Sequence, residues 1–171
     1  MTTSQYLLNF GLLAYVLYSN LGTKTLTHRR LTLPVVLVAV AGYAFLRDLP
    51  TAGNDTHLEL AGLTAGVVLG VFAALLVRVR RAADGSLVAE AGAAFAALWI
   101  VVIGGRMLFA YGADHWFITA IGRFSRDHQI TGADAWTAAF VLMALAMVVT
   151  RVLVAGAQVA RLTARRPAQA G

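Results

Sequence analysis

The sequence predicts an all-α integral membrane protein, built as one domain of about five transmembrane helices and one short interfacial amphipathic helix. Of its 171 residues, 59% are hydrophobic and 13% are charged, whereas a soluble domain has about half apolar and about a quarter charged residues. The mean hydropathy is +0.72. Basic residues flank the apolar runs, so the net charge of +6 indicates anionic lipid headgroups rather than nucleic acid.

The clearest span is residues 58–77, an apolar run whose one charge, Glu59, lies in the first turn. A helix of this length covers roughly 30 Å, the thickness of the bilayer hydrocarbon. Gly62, Gly66 and Gly70 recur every four residues and predict a stripe where another helix packs closely. We expect this helix pair to form inside one molecule; a homo-oligomer is the alternative.

Four further apolar runs predict the remaining spans, and a basic tail is expected at residues 161–171. Pro34 lies in the first turn of the second span, where a missing amide proton costs little. The fourth span is rich in Ala and Gly, which predicts that other helices surround it. These four spans are residues 4–22, 31–49, 87–109 and 135–154.

Residues 114–129 are too short and too charged to cross a bilayer. Their apolar side chains recur at helical spacing on one side, which predicts an interfacial helix on the outer leaflet. The residues expected to contact the lipid are Trp116, Phe117, Ile121 and Phe124.

The distribution of basic residues predicts the orientation. Nine lie in segments expected to face the cytoplasm: Lys24, Arg29, Arg30, Arg78, Arg80, Arg81, Arg161, Arg165 and Arg166. Three lie in the expected outer loops: Arg47, Arg123 and Arg126. By the positive-inside rule, the N-terminus is outside and the C-terminus is cytoplasmic in a bacterial plasma membrane.

Three ionisable residues of the predicted spans are candidates for function, since charges inside a membrane are costly. Glu90 and Arg151 lie one turn from the cytoplasmic ends of consecutive spans and could pair, or each could reach the interface. Arg106 lies near the outer end of the fourth span, where Glu59 or Asp134 could pair with it.

Three histidines on the predicted outer side, His57, His115 and His128, are weak candidates for a metal site, because their spacing matches no ligand motif. Solvated loop histidines are the simpler interpretation, and no cofactor is expected. The chain has no cysteine, which excludes disulfides and thiolate metal sites. It also has no Gly-x-Ser-x-Gly or His-Glu-x-x-His motif, so the sequence favours a protein that is not an enzyme.

The order of motifs resembles the CcdC-like family of small bacterial membrane proteins, especially actinobacterial forms. The resemblance rests on Arg30-Leu-Thr-Leu-Pro34, the glycine-repeat helix, Arg78-Val-Arg-Arg-Ala-Ala-Asp-Gly85, Trp99 and Gly105-Arg106, over about residues 29–110. It implies a polytopic protein of unknown activity, and the family name suggests a link to cytochrome c maturation. Without cysteine, a thiol-based part in that process is not supported.

Two functions follow from the sequence. The first is an accessory or assembly factor that acts through helix packing, with the bilayer, inner-leaflet anionic headgroups, and a second copy or another membrane protein as its partners. The alternative is a small transporter or channel subunit that uses Arg106 or a Glu90/Arg151 pair. An accessory protein needs these charges paired or at the interface, whereas a transporter needs them along a wet path.

Overall fold

The computed structural model describes residues 22–25, 28–45 and 53–164, together with Gly11, Ala14 and Tyr18, which are helical. In these residues five helices and three strands follow one another in this order: β1 (Gly22–Thr25), α1 (His28–Phe45), α2 (Asp55–Leu75), β2 (Val77–Arg81), β3 (Leu87–Ala91), α3 (Ala93–His115), α4 (Ile118–Asp127) and α5 (Ala133–Ala164).

Three of the described helices, α2, α3 and α5, are long and apolar enough to cross a membrane. They correspond to the predicted third, fourth and fifth spans. Helix α1 overlaps the predicted span 31–49 but is not among the three. The predicted span 4–22 lies largely outside the described residues, as do the last residues of the tail, so the count of five spans is not confirmed.

A small antiparallel sheet corrects the all-α prediction. Its strand order is β1-β3-β2, with β3 in the centre. Strands β2 and β3 form a hairpin around the Asp84-Gly85 turn, and Gly85 has φ +82° there. The predicted fourth span therefore begins at Ala93 rather than at residue 87. The alternating residues VRVRR form β2, and the residues LVAEA form β3. Because LVAEA is mostly apolar and leads directly into the next apolar run, the sequence does not separate this strand from the helix that follows.

Helix α5 lies at the centre of the described fold and contacts α1, α2 and β2. It has 32 residues and thus measures about 48 Å, which exceeds the roughly 30 Å of the hydrocarbon layer. Its last turns continue beside the sheet, where Arg81 donates a hydrogen bond to the Leu162 carbonyl oxygen at 3.4 Å. Helix α5 thus continues for ten residues beyond residue 154, where the predicted membrane span ends.

The glycine stripe of α2 packs against α5 of the same chain. A Cβ on Gly62, Gly66 or Gly70 would collide with a backbone carbonyl oxygen of α5, those of Ala139, Met143 and Met147 respectively. Both series rise along the chain, so α2 and α5 run parallel. The two backbones are in direct contact because the glycines have no side chains.

The buried core lies between α2, α3, α5 and the sheet. Its members are Ala73, Ala91, Phe95, Trp99, Ile103, Met107 and Met147. Because α3 begins at the sheet and ends before α4, the sheet and α4 lie at opposite ends of the bundle.

Candidate functional site

A cation and two aromatic rings meet at the end of the bundle nearest the sheet. The guanidinium carbon of Arg151 lies 4.8 Å from the ring centroid of Phe95, a cation–π distance. Phe95 is fully buried, and its ring is 6.2 Å from that of Trp99. The indole nitrogen of Trp99 is buried, and no described residue forms a hydrogen bond with it. Arg151 is thus held against the core of its own chain.

Glu90 is not in a membrane helix, which corrects the prediction for this residue. It lies in β3, and its Oε2 accepts a hydrogen bond from Nε of Arg80 at 3.3 Å. The side chains are 56% exposed for Arg80 and 48% exposed for Glu90. Glu90 therefore belongs to an exposed cross-strand ion pair, and its structural partner is Arg80 rather than Arg151.

Arg106 lies on α3, where the sequence places it, and is partly buried. In the part of the chain that the structure describes, neither Glu59 nor Asp134 forms an ion pair with it. The neighbouring Gly104 and Gly105 have open space where a Cβ would stand. The two glycines that precede Arg106 are thus not in close contact with another element among the described residues.

The structure reveals a polar junction that the sequence interpretation missed. Asp55, at the start of α2, is completely buried and accepts hydrogen bonds from both the backbone N–H of Thr131, at 2.9 Å, and its hydroxyl. The backbone N–H of Asn54 donates to the Gln129 carbonyl oxygen at 3.0 Å. These bonds fasten the start of α2 to the segment that precedes α5.

Glu59 lies one turn beyond Asp55 on the same side of α2 and is only 7% exposed. Its Oε1 is buried and has no hydrogen-bond partner among the residues that the structure describes. The sequence did carry a signal for this arrangement, because both carboxylates continue the stripe of Gly62, Gly66 and Gly70 at helical spacing. A residue on the tightly packed stripe cannot point to solvent.

The predicted interfacial segment 114–129 is divided into two parts. Helix α3 continues to His115, Trp116 and Phe117 form a corner, and α4 begins at Ile118. Phe117 packs on Gly112, whereas Trp116 is 61% exposed. The four residues predicted to contact lipid therefore do not share one helix: Ile121 and Phe124 are on α4, and Trp116 and Phe117 precede it.

Trp136 fastens α4 to the bundle. Its indole N–H donates to Oγ of Ser125 at 3.3 Å, and Ser125 is the one buried residue of α4. The ring of Trp136 is 5.1 Å from that of Phe109 on α3 and 6.2 Å from that of Phe124. One side of α4 thus rests on the bundle, while Phe124 and Ile118 remain exposed.

The three candidate histidines are separate. The ring of His115 stacks on Tyr111 at 4.1 Å and that of His128 on Phe124 at 4.0 Å, and Nδ1 of each is 3.0 Å from a carbonyl oxygen one turn earlier. His57 is exposed on α2. Among the described residues, no three His, Cys, Asp or Glu side chains are grouped so that they could hold a metal ion.

A family model described as CcdC protein (DUF1453) matches residues 2–164, nearly the whole chain. The chain belongs to the CcdC protein family. This confirms the resemblance that the motifs indicated, and the CcdC match extends beyond residues 29–110 to include α4 and α5. No curated protein and no solved structure matches the chain significantly.

Proposed function

We propose that this CcdC family protein is a non-enzymatic, multi-pass accessory or assembly factor of the bacterial plasma membrane, which acts through helix packing and partner binding. One observation carries the proposal: charged side chains of the predicted inner end contact their own chain. Glu90 is paired with Arg80, and Arg151 lies over Phe95. A transport path would require such charges along a wet cavity instead.

The partner surface is the outward side of α3. Ile100, Val101 and Leu108 are 50%, 68% and 57% exposed in the isolated chain. They lie on a helix that is long enough to span the membrane. Apolar side chains on this side can pack against lipid or against the helix of another membrane protein. Photo-crosslinking inside the membrane distinguishes these two neighbours.

The crosslinking experiment places benzoyl-phenylalanine at Val101 and, as the matched control, at the buried Phe95. In living cells we expect the probe at Val101 to give one discrete adduct, identifiable by mass spectrometry, and the probe at Phe95 to react only within the chain. Lipid adducts alone at Val101, and likewise at Ile100 and Leu108, would contradict partner binding through α3.

The orientation is part of the proposal, with the sheet in the cytoplasm and α4 outside. The sheet carries four cations: Lys24, Arg78, Arg80 and Arg81. The natural chain lacks cysteine, so single Asp84→Cys and Thr119→Cys variants can be labelled selectively. An impermeant maleimide should label Thr119→Cys in intact cells and Asp84→Cys only after lysis. The reverse pattern would overturn the orientation.

Anionic headgroups of the inner leaflet are the proposed lipid partner of the sheet. Arg78 and Arg80 lie opposite Glu90 and Val88 and thus share one face, so this face keeps a net positive charge. In nanodiscs, anionic lipid should raise the thermal midpoint of the wild type, and Arg78→Gln should reduce that rise. An equal rise in zwitterionic lipid would contradict the headgroup contact.

Transport remains the second candidate because Arg106 is a partly buried cation on an apolar helix. Purified protein in liposomes should show no ion or proton flux above empty liposomes if the accessory function is correct. Flux that Arg106→Ala abolishes, and that the exposed-site control Glu90→Gln leaves intact, would replace the accessory function with transport.

A further inference from the structure

Two acidic side chains are buried one turn apart where α2 begins. Asp55 is 0% exposed and Glu59 is 7% exposed, and both lie on the side of α2 that faces α5. Carboxylates four residues apart on a helix repel each other when both are ionised. The oxygens of Asp55 accept two hydrogen bonds from Thr131, whereas the buried Oε1 of Glu59 accepts none from the described part of the chain.

The stripe of α5 opposite Glu59 carries the buried alanines Ala135 and Ala139. Gly62 lies against Ala139, and the two helices run parallel, so Glu59 faces the first turn of α5. Ala135, in that turn, is fully buried. An alanine methyl group offers no hydrogen bond, so an ionised carboxylate here would be desolvated without compensation.

No charged group among the described residues neutralises Glu59. It has no ion pair and no hydrogen bond with any of the titratable or charged groups on its own helix or on the elements around this end of the bundle. These groups are Tyr43 of α1, Asp55 and His57 of α2, Arg106, Tyr111, Asp114 and His115 of α3, Arg123, Arg126, Asp127 and His128 in and directly after α4, and Asp134 of α5.

The helix dipoles at this end can compensate for about one negative charge. Helices α2 and α5 are parallel, and both begin beside Asp55. Each N-terminus carries roughly half a positive elementary charge. Asp55 is nearest to both termini and accepts both hydrogen bonds from Thr131. Glu59 lies one turn deeper and is the second carboxyl group, to which the described residues supply neither a hydrogen bond nor a cation.

We propose that Asp55 and Glu59 form a proton-binding site that holds one proton at neutral pH, carried by Glu59. The proton comes from water at the α4 end of the bundle and returns there when Glu59 ionises. Loss of the proton leaves two buried negative charges on the stripe that joins α2 to α5. The contact between the two helices is therefore expected to loosen as the pH rises. This site does not depend on the accessory function.

The sequence provides a clean test, because Glu59 and Glu90 are the only two glutamates. The full chain is labelled with ¹³C at glutamate side-chain carboxyls and placed in nanodiscs, and the carboxyl resonances are followed by NMR over a pH titration. We expect one resonance, absent in Glu59→Gln, to have the chemical shift of a protonated carboxyl at neutral pH. The other, absent in Glu90→Gln, belongs to the exposed Glu90 and is assigned by that loss.

Two further measurements test the proposal even if the Glu59→Gln variant folds poorly. In the Glu90→Gln background the one remaining signal belongs to Glu59. Asp55→Asn removes the neighbouring charge, so in that variant the Glu59 proton should leave at a lower pH. A Glu59 signal that is already ionised at neutral pH would overturn the proposal. A signal that changes with Na⁺ at fixed pH would also overturn it, since the site would then bind a metal cation.

Discussion

Gly70 lies so close to Met147 that a Cβ at the glycine would stand 2.6 Å from the methionine's carbonyl oxygen. Real Cβ atoms do not approach backbone this closely, and a backbone oxygen cannot rotate away as a side chain can. The separation of α2 and α5 is therefore fixed by the absence of side-chain atoms at the glycines.

Gly66→Ala should destabilise the protein. Alanine favours an isolated helix by about 0.5–1 kcal/mol over glycine, but here the methyl group would meet the Met143 carbonyl oxygen and lie 2.9 Å from the Ala146 Cβ. Overpacking of this kind costs about 1–3 kcal/mol, so we expect a lower thermal midpoint in detergent.

Gly104→Ala is the matched control for the glycine stripe, because nothing lies within 4 Å of a Cβ there. It should leave the midpoint unchanged or raise it slightly. Equal losses in Gly66→Ala and Gly104→Ala would contradict close backbone packing as the function of the stripe.

Asp55→Ala should be strongly destabilising because it leaves the N–H and hydroxyl of Thr131 without their acceptor. An unsatisfied buried donor costs about 1–3 kcal/mol. Thr131→Val should cost less, because it removes one of the two bonds, and the double variant should show a coupling of about 0.5–3 kcal/mol. Unfolding of all four proteins in the cycle measures this coupling.

Asp134→Ala is the control for Asp55, since Asp134 is exposed in the first turn of α5. Asp134→Ala should lower the free energy of unfolding only by the lost interaction between this carboxylate and the helix dipole, about 0.3–1 kcal/mol. A larger loss in Asp134→Ala than in Asp55→Ala would mean that the Asp55–Thr131 junction is not what holds this end of the bundle.

Glu90→Gln should change stability little. The Arg80–Glu90 pair is about half exposed, and exposed ion pairs contribute about 0–1 kcal/mol. The effect should diminish further in high salt, which screens exposed charges. A large loss of stability, insensitive to salt, would indicate that Glu90 is buried in the membrane after all.

The β2–β3 turn should show its own pH dependence. The hydroxyl and then the backbone N–H of Ser86 donate hydrogen bonds to Asp84 and lower the pKa of that carboxyl below its ordinary value. The pKa of Asp84 is thus lower in the folded protein than in the unfolded chain. The ionised carboxylate therefore stabilises the fold at pH values above the pKa of the unfolded chain, and this contribution is lost as the pH falls through the folded-state pKa.

Ser86→Ala should raise the pKa of Asp84 back towards its ordinary value. Carboxyl ¹³C NMR of labelled aspartate measures the shift, and the Asp127 signal of the same samples serves as the internal control. An unchanged Asp84 titration in Ser86→Ala would show that the hydroxyl does not stabilise the ionised carboxylate.

The sequence predicts the positions of the long helices better than it predicts where α3 begins. The positions of α2, α3 and α5 were recognisable, because apolar runs of membrane length have few alternatives. The start of α3 could not be recognised, because the strand Leu87–Ala91 is mostly apolar and leads directly into the helix. The sequence pattern therefore predicts a helix at Glu90, whereas its ion pair with Arg80 depends on the register between β2 and β3, which is defined only when the two strands pair.

The amphipathic segment shows a second limit. The helical spacing of apolar residues across 114–129 predicts one continuous helix, but the helix is interrupted at Trp116 and Phe117, where α3 ends. The backbone N–H groups of both residues donate to the Gly112 carbonyl oxygen at 2.8 Å and close the helix there. Such a corner depends on Phe117 packing against Gly112, a contact that periodicity does not reveal.

The sequence by itself determined that the chain is rich in membrane-length apolar helices, which of these carries a close-packing stripe, and the family to which the chain belongs. These are local properties of composition and spacing. The tertiary structure decided that α5 packs against the stripe, that β1 joins the β2–β3 hairpin, and that Glu59 is buried with no hydrogen-bond partner for its Oε1 among the described residues. Each of these depends on which distant segment approaches, and burial and hydrogen bonding are set by that approach.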